Sequence, residues 1–581
     1  MERIIRKNIL RVQPKITFLE LVEIMLSSKI RNAEQGLVVV EDKKGQLVGV
    51  ITDGDIRRAI SRKLPYEAFI GSLISKDPVF IECSDNRGKC LQTIRDHETR
   101  LKKEGRWYRP GQILVVDGRK KVVGLVDKKE LLDLSTDDIV AVNLGLGFVG
   151  LPFSAIVANT GIQVVGVDIR EDVVAFAKKG KAIFFESGLD DLLQTQLSRK
   201  TLSFSTKIPD GGADVYFISV GSPVDRNGKA NLEFLESTAR SIGKSLVGNE
   251  LVAVRSTVTL GTTRNHLVPI MEEESDLKAG VDFYVVFTPE RVVEGKVIEE
   301  YGSLPQIIGG LTPSCLKRGI SVFSRFHASL VETESLEAAE LVKLANNTVR
   351  DLTFAYGNEI ALICDKYNID ARKLIEAANE GYPRSAIALP SPGVGGRCLP
   401  KGSKLYSSSE CSYFGMAKLG EVARQINESM PKYIHFKISE WKDKVGLKWE
   451  ELRVTIFGAA FKGMPETSDL RNSPSIDVMN LLKNEGVNLL MVRDCNCKEE
   501  ELKKVGFDRV WGPELNLSSK GINCILILNN HISHRNLKWH SILSQLPRPA
   551  LVFDGWGQLN ENTVLSYSQI SYGRMGGIIY E

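Results

Sequence analysis

A chain of 581 residues, 43% hydrophobic and 25% charged, is too long for one hydrophobic core and has a folded, globular composition. Its 76 basic residues stand against 72 acidic ones, a net charge of +4 that marks no nucleic-acid-coating surface. Nine cysteines follow no repeating spacing, and the close pair Cys495 and Cys497 has no second pair or neighbouring histidine to complete a zinc site. Free thiols in a reducing compartment are expected, and no metal.

The start, Met1 to Lys7, lacks the apolar segment of a secretory signal, and no later stretch reaches the ~20 apolar residues of a membrane span. A soluble, cytoplasmic protein without membrane or nucleic-acid partners is therefore expected. Metalloprotease, serine-hydrolase and phosphate-loop signatures are all missing from the sequence.

Residues 1–135 read as a duplicated unit. The strand patterns Gly36 to Val40 and Leu47 to Ile51 lead into Thr52-Asp53-Gly54-Asp55 and a helix. Ile113 to Val116 and Val122 to Val126 repeat the plan and lead into Asp127 to Glu130. The segment resembles a pair of CBS motifs, a module that binds adenine nucleotides between its halves. A hydroxyl at a strand end and an acid at a helix start suit phosphate and ribose, which points to Thr52, Asp55 and Arg57, with Glu130 in the second copy. The same residue types are also good helix caps, so the pair can equally be structural or dimerising.

Residues 136–333 open a new domain. The strand Ile139 to Leu144 runs into Gly145-Leu146-Gly147-Phe148-Val149-Gly150, and a second strand ends in Asp168. Strand, glycine turn, helix, strand and acid within about thirty residues is the context a dinucleotide loop needs. Asp168 would accept the ribose hydroxyls and repel a phosphate there, favouring NAD over NADP.

From this loop onward the chain resembles the UDP-glucose and GDP-mannose dehydrogenase family, in order, through nearly all of residues 139–581. The motifs are Gly145 to Pro152, Val220-Gly221-Ser222-Pro223, Arg255-Ser256-Thr257-Val258 and Thr288-Pro289-Glu290-Arg291-Val292-Val293-Glu294-Gly295. Residues 334–435 hold a long helical pattern from Glu334 to about Tyr367, in which Glu340, Lys343, Asn347 and Arg350 share a face. On their own these would be a solvated stripe; in relatives the helix is the one through which subunits dimerise. The loop Pro390 to Lys401 resembles the family's glycine loop around a catalytic cysteine, here Cys398. Residues 436–581 add Phe461-Lys462-Gly463 and Asp469-Leu470-Arg471-Asn472-Ser473-Pro474, similar to the family's nucleotide-diphosphate motifs.

The resemblance implies an α/β protein: two Rossmann-like doubly wound domains joined by a long central helix, preceded by an α+β CBS pair. It implies NAD-dependent oxidation of the C6 hydroxyl of a UDP-sugar to a uronate in two steps, for polysaccharide precursor synthesis, by a homodimer or higher homo-oligomer. Cys398 would be the nucleophile, Lys343 and Asn347 would serve the oxyanion, and Glu290 with Thr257 would handle water. Gly145, Gly147, Phe148, Val149, Gly150, Asp168, Arg170, Ser222, Pro223, Thr257 and Glu294 would hold the cofactor. Glu290, Arg291, Lys343, Asn347, Arg350, Arg384, Gly395, Lys462 and Arg471 would meet the substrate, with Arg350 and Arg384 as subunit-interface residues and Arg471 as a partner of Asp469 the alternatives. Asn347 to Asp351 and Tyr382-Pro383-Arg384 favour UDP-N-acetylglucosamine or UDP-N-acetylmannosamine, with UDP-glucose as the alternative. Three positions depart from the pattern: Ser222 stands where a threonine is usual, Trp556 stands where many relatives carry a charge, and Gly402 stands where an aspartate is usual. Either another carboxylate, with Glu290 a candidate, replaces that aspartate, or the chain is a catalytically impaired, nucleotide-sensing relative.

Overall fold

Short apolar runs separated by turns form two sheets of the same plan among the described residues up to 127. β1 (Leu10–Val12), β2 (Leu37–Glu41) and β3 (Leu47–Thr52) form one; β4 (Phe80–Glu82), β5 (Gln112–Val116) and β6 (Val122–Asp127) form the other. In each, the first pair is parallel and the second antiparallel, with a register shift at Val40/Glu41 and again at Val115/Val116. Leu37, Val39 and Val50 of one sheet pack on Leu114, Val116, Val122 and Leu125 of the other, so the duplication buries one shared apolar interface. This computed structural model describes residues 5–6, 9–26, 37–83, 90, 93–94, 96–97, 100–101, 112–127, 139–225, 230–327, 329–384, 386–411, 415–512 and 520–577. Glu130 lies outside the described residues.

The NAD-type pattern builds an eight-stranded sheet from β7 (Val140–Leu144), β8 (Gln163–Val167), β9 (Leu202–Ser205), β10 (Val215–Ile218), β11 (Leu251–Val254), β12 (Tyr284–Phe287), β13 (Gln306–Gly310) and β14 (Leu330–Thr333). Its order is β14-β13-β12-β11-β10-β7-β8-β9, parallel except between β12 and β13. The inner strands, such as β10 and β11, are apolar on both faces because apolar clusters cover both sides. The chain reverses direction across the sheet between β7 and β10, which puts a crevice at their carboxyl ends.

The central region is carried by two long helices. One spans Leu336–Lys366, started by Ser335, whose side chain accepts from the Ala338 N–H; the other spans Leu419–Lys444. Between them a ten-residue helix begins at Cys398 (Cys398–Ser407). Asp351, fully buried, accepts from Arg424 at 2.9 Å and Asn427 at 2.7 Å, and Arg424 also donates to the Val394 carbonyl at 3.0 Å. This network clamps the two long helices to the glycine loop that leads to Cys398. The domain boundary expected at residue 435 falls inside the Leu419–Lys444 helix, whose apolar face continues into the last domain's core through Ile438 and Trp441.

That last domain is a six-stranded, wholly parallel sheet of β15 (Arg453–Phe457), β16 (Leu489–Arg493), β17 (Arg509–Val510), β18 (Cys524–Ile527), β19 (Ala550–Asp554) and β20 (Ile570–Arg574), in the order β17-β16-β15-β18-β19-β20. Among the described residues no helix is long and apolar enough to cross a membrane.

Candidate active site

The dinucleotide loop follows β7 directly. Gly145 adopts φ +98°, and a Cβ there would stand 2.8 Å from the Ser219 backbone. At Gly150 a Cβ would stand 1.8 Å from the Gly145 carbonyl oxygen, so only glycine lets the helix Gly150–Asn159 start on the loop. No side chain caps that helix at Val149, and the space beside Gly147 is open, which fits a pyrophosphate at a helix N-terminus. Asp168 accepts from the Leu146 N–H at 2.8 Å and the Arg170 N–H at 3.0 Å, tying the loop to the end of β8. Arg170 pairs with Asp172 on the surface. Buried Ser222, followed by Pro223, donates to the Thr257 carbonyl at 2.6 Å and receives the Lys401 ammonium. NAD fits this loop, with Asp168 at its ribose end.

A cleft of about 520 Å³ lies where this domain, the central helices and the last domain meet. Cys398, exposed at the start of its helix, faces it together with Lys343 and Asn347. Asn347 Nδ2 donates to the Cys398 carbonyl at 3.2 Å. Five cations line the cleft, Arg291, Lys343, Arg350, Arg397 and Lys462, against one carboxylate, Glu294, an imbalance that suits a diphosphate. Phe461 and Trp556 supply apolar wall, and Gly395 passes beneath.

The charges are held by specific partners. Burial pushes the Lys343 ammonium down, and the neighbouring Cys398 and Glu290 work against that. Burial likewise raises the Glu290 carboxyl, but Arg255 and two backbone N–H groups, of Arg291 at 2.7 Å and Val292 at 3.0 Å, hold it below the usual range. Lys401, buried and beside Arg397, is pushed down to about 7. Burial and Asp469 raise the Glu294 carboxyl, and Lys462 donates to the Glu294 carbonyl at 2.7 Å.

The central-helix stripe is inverted relative to a solvated one. Glu340, Lys343 and Asn347 are 1%, 8% and 4% exposed, whereas Leu341 and Val349 are 39% and 57% exposed. Glu340 is consumed structurally, accepting from Gly261 N–H at 2.6 Å and from the backbone and hydroxyl of Thr263.

Four of the expected positions have surroundings that their motifs did not show. Glu290 does not line the cleft, because Arg255 and the backbone engage its carboxylate behind Lys343. Arg471 forks onto Asp469 at 2.7 and 2.6 Å, pairs with Glu294 at 3.6 Å and lies 4.8 Å over the Phe148 ring. Arg384 is exposed over Tyr382. Glu294, expected on the sugar or cofactor side, lines the cleft that Cys398 faces. A Cβ at Gly402 would stand 2.5 Å from Asn347 Cβ and Nδ2, so Asn347 occupies the room a side chain would need there. Arg397, Lys401 and Arg255 went unassigned in the sequence; cations flanking the cysteine were the signal for the first two.

A dinucleotide loop facing a thiol-bearing, cationic cleft closed by a second nucleotide-type domain defines an NAD-dependent oxidoreductase acting on a nucleotide-linked substrate. Family models agree: the UDP-glucose/GDP-mannose dehydrogenase NAD-binding domain matches residues 139–327, the central domain 337–429, the UDP-binding domain 455–561, and a CBS domain residues 1–62. The chain is 32% identical over 424 residues to the UDP-N-acetyl-D-mannosamine dehydrogenase of Pyrococcus horikoshii, spanning 72% of this chain and 96% of that one. A solved UDP-D-ManNAc dehydrogenase from Pyrococcus horikoshii superposes with TM-score 0.67 at 30% identity, over 75% of this chain and 99% of that one. A UDP-glucose dehydrogenase from Pyrobaculum islandicum superposes with TM-score 0.64 at 25% identity, over 76% and 98%. The chain belongs to the UDP-glucose/GDP-mannose dehydrogenase family.

Proposed function

We propose that the chain oxidises the C6 hydroxyl of a UDP-N-acetylhexosamine, UDP-N-acetylmannosamine first, to the uronate, as a precursor for polysaccharide synthesis. The carrying observation is the exposed Cys398 thiol set among Lys343, Asn347 and Arg397 in a cleft of five cations. The names of the relatives favour the N-acetylmannosamine sugar.

NAD, held by the loop Gly145 to Gly150, would supply the hydride acceptor. Lys343, whose ammonium burial disfavours and Cys398 and Glu290 favour, supports the oxygen as the alcohol becomes an aldehyde. The Cys398 sulfur adds to the aldehyde carbon, and the oxygen takes a proton to give a thiohemiacetal. A second hydride leaves a thioester, and water cleaves it to the carboxylate, restoring the thiol. Two NAD and one water are consumed per sugar. Asn347 fixes the cysteine backbone; Thr257 and Ser222 serve the cofactor side. Glu290 acts through Lys343 rather than on substrate.

The apolar residues left outside on the central helix, Val349, Tyr356 and Ile363, recur every seven positions and are more than half exposed; a second copy of the chain covers them. The CBS pair gates turnover through an adenine nucleotide between its copies. Thr52 and Asp55, which cap each other at 2.6 Å in this structure, would have to reorganise, and Arg57 stands beside them. Nine free cysteines support a cytoplasmic setting.

NADH formation with UDP-N-acetylmannosamine, UDP-N-acetylglucosamine and UDP-glucose, each with and without AMP or ATP, tests this reading. Two NADH per sugar are expected with one of them, and none with Cys398→Ala, which still binds NAD. Silence across the panel favours the impaired, nucleotide-sensing alternative that Gly402 raises.

A further inference from the structure

Behind the cleft wall lies a buried polar cluster that the reaction above uses only indirectly. Arg255, 2% exposed, follows β11 and reaches across the domain core. Its Nη2 donates to Glu290 Oε2 and to the Tyr301 hydroxyl, and its guanidinium lies 3.9 Å from the Phe153 ring of the helix that starts on the dinucleotide loop. His327 sits with its ring 5.0 Å from Tyr301 and, pushed down to about 4 by burial and Arg255, is neutral. The charged groups facing Glu290 are thus Arg255 and Lys343, with Tyr301 as its further hydrogen-bond partner.

An isolated carboxylate at a site 8% exposed would take up a proton at neutral pH. Arg255 is the only full charge bonded to Glu290 among the described residues, and its guanidinium, stacked on Phe153, also joins Glu290 to the cofactor helix. We infer that Arg255 is a positioning residue of this site: it holds Glu290 as an anion behind Lys343, so that Lys343 keeps the proton the oxyanion step needs. The inference rests on the role assigned above to Lys343.

The test compares pH profiles of kcat for NADH formation in Arg255→Gln, Arg255→Lys, Glu290→Gln and the double variant Arg255→Gln/Glu290→Gln. The double variant removes both members of the buried pair, so neither Arg255 nor Glu290 is stranded without the other, which guards against a simple folding defect. Loss of Arg255 lets burial raise the Glu290 carboxyl, so its anion is lost at higher pH and the acid limb of the profile moves up. The expected result for Arg255→Gln is a shift of about one pH unit or more with at least a tenfold loss of kcat at pH 7 and little change in KM for NAD. Arg255→Lys restores most of the profile, while the folded double variant matches Glu290→Gln in rate and has no such limb. Wild-type profiles in both Arg255 variants, with Glu290→Gln still impaired, overturn the inference alone. A wild-type rate in Lys343→Met overturns the reading it rests on.

Discussion

Filling Gly402 tests whether this glycine is a lesion or a fitted part of the site. In Gly402→Ala the new Cβ meets Asn347 Cβ and Nδ2 at 2.5 Å, closer than nonbonded carbons approach. Alanine gains about 1 kcal/mol of helix propensity over glycine, whereas overpacking a tight contact costs about 1–3 kcal/mol. Displacing Asn347 also loses its 3.2 Å bond to the Cys398 carbonyl, about 0.5–1.5 kcal/mol. The balance is a stability loss of roughly 0.5–3.5 kcal/mol, while the start of the cysteine helix shifts by enough to cost about a hundredfold in rate. Gly402→Asp, which restores the residue usual in relatives, is expected to fall at least as far, because it needs the same space and more. The assay is NADH formation with the active UDP-sugar, alongside thermal unfolding. An alanine or aspartate variant as fast as the parent would refute the packing argument and revive the view of Gly402 as a lost catalytic carboxylate.

Burial pushes Lys401 down to about 7 from 10.5. Between those values the folded chain has released a proton that the unfolded chain still holds, so stability rises with pH across that window, by up to about 1.4 kcal/mol per unit. Lys401→Met should unfold at higher temperature than the parent at pH 7 and lose the rise; equal slopes in melting curves from pH 7 to 9 would count against it. Arg424→Met strands Asp351, which is fully buried, at a cost of about 3–5 kcal/mol. Its melting temperature should drop by roughly 6–20 °C, with much of it recovered in Arg424→Met/Asp351→Leu, and an unchanged melting curve for the single variant would remove the clamp.

Much of this chain was legible because local patterns and contiguous motifs carry local physics. The strand-turn-strand duplication, the glycine loop before its helix, the acid at Asp168 and the cysteine loop each depend on residues within about thirty positions. The central helix was legible from Glu334 onward for the same reason. Its orientation was not: a 3.6-residue period shows that Glu340, Lys343 and Asn347 share a face, but water or protein on that face is decided by what packs there. Here Gly261, Thr263, Glu290 and Cys398 come from other segments to meet it.

The same limit applies to the charges. The motif left Arg471 open between a phosphate and Asp469; the fold pairs it with Asp469 and sets it over Phe148, which comes from a different domain. Cys495 had no histidine near it in sequence, whereas folding brings His531 to hydrogen-bond its thiol. The sequence by itself determined the parts, the cofactor loop, the thiol and the domain order, because each is written in contiguous residues. Only the tertiary structure decided that Arg255 holds Glu290 and that Asn347 fills the room beside Gly402, because burial and ion pairing depend on distances between segments that lie far apart along the chain.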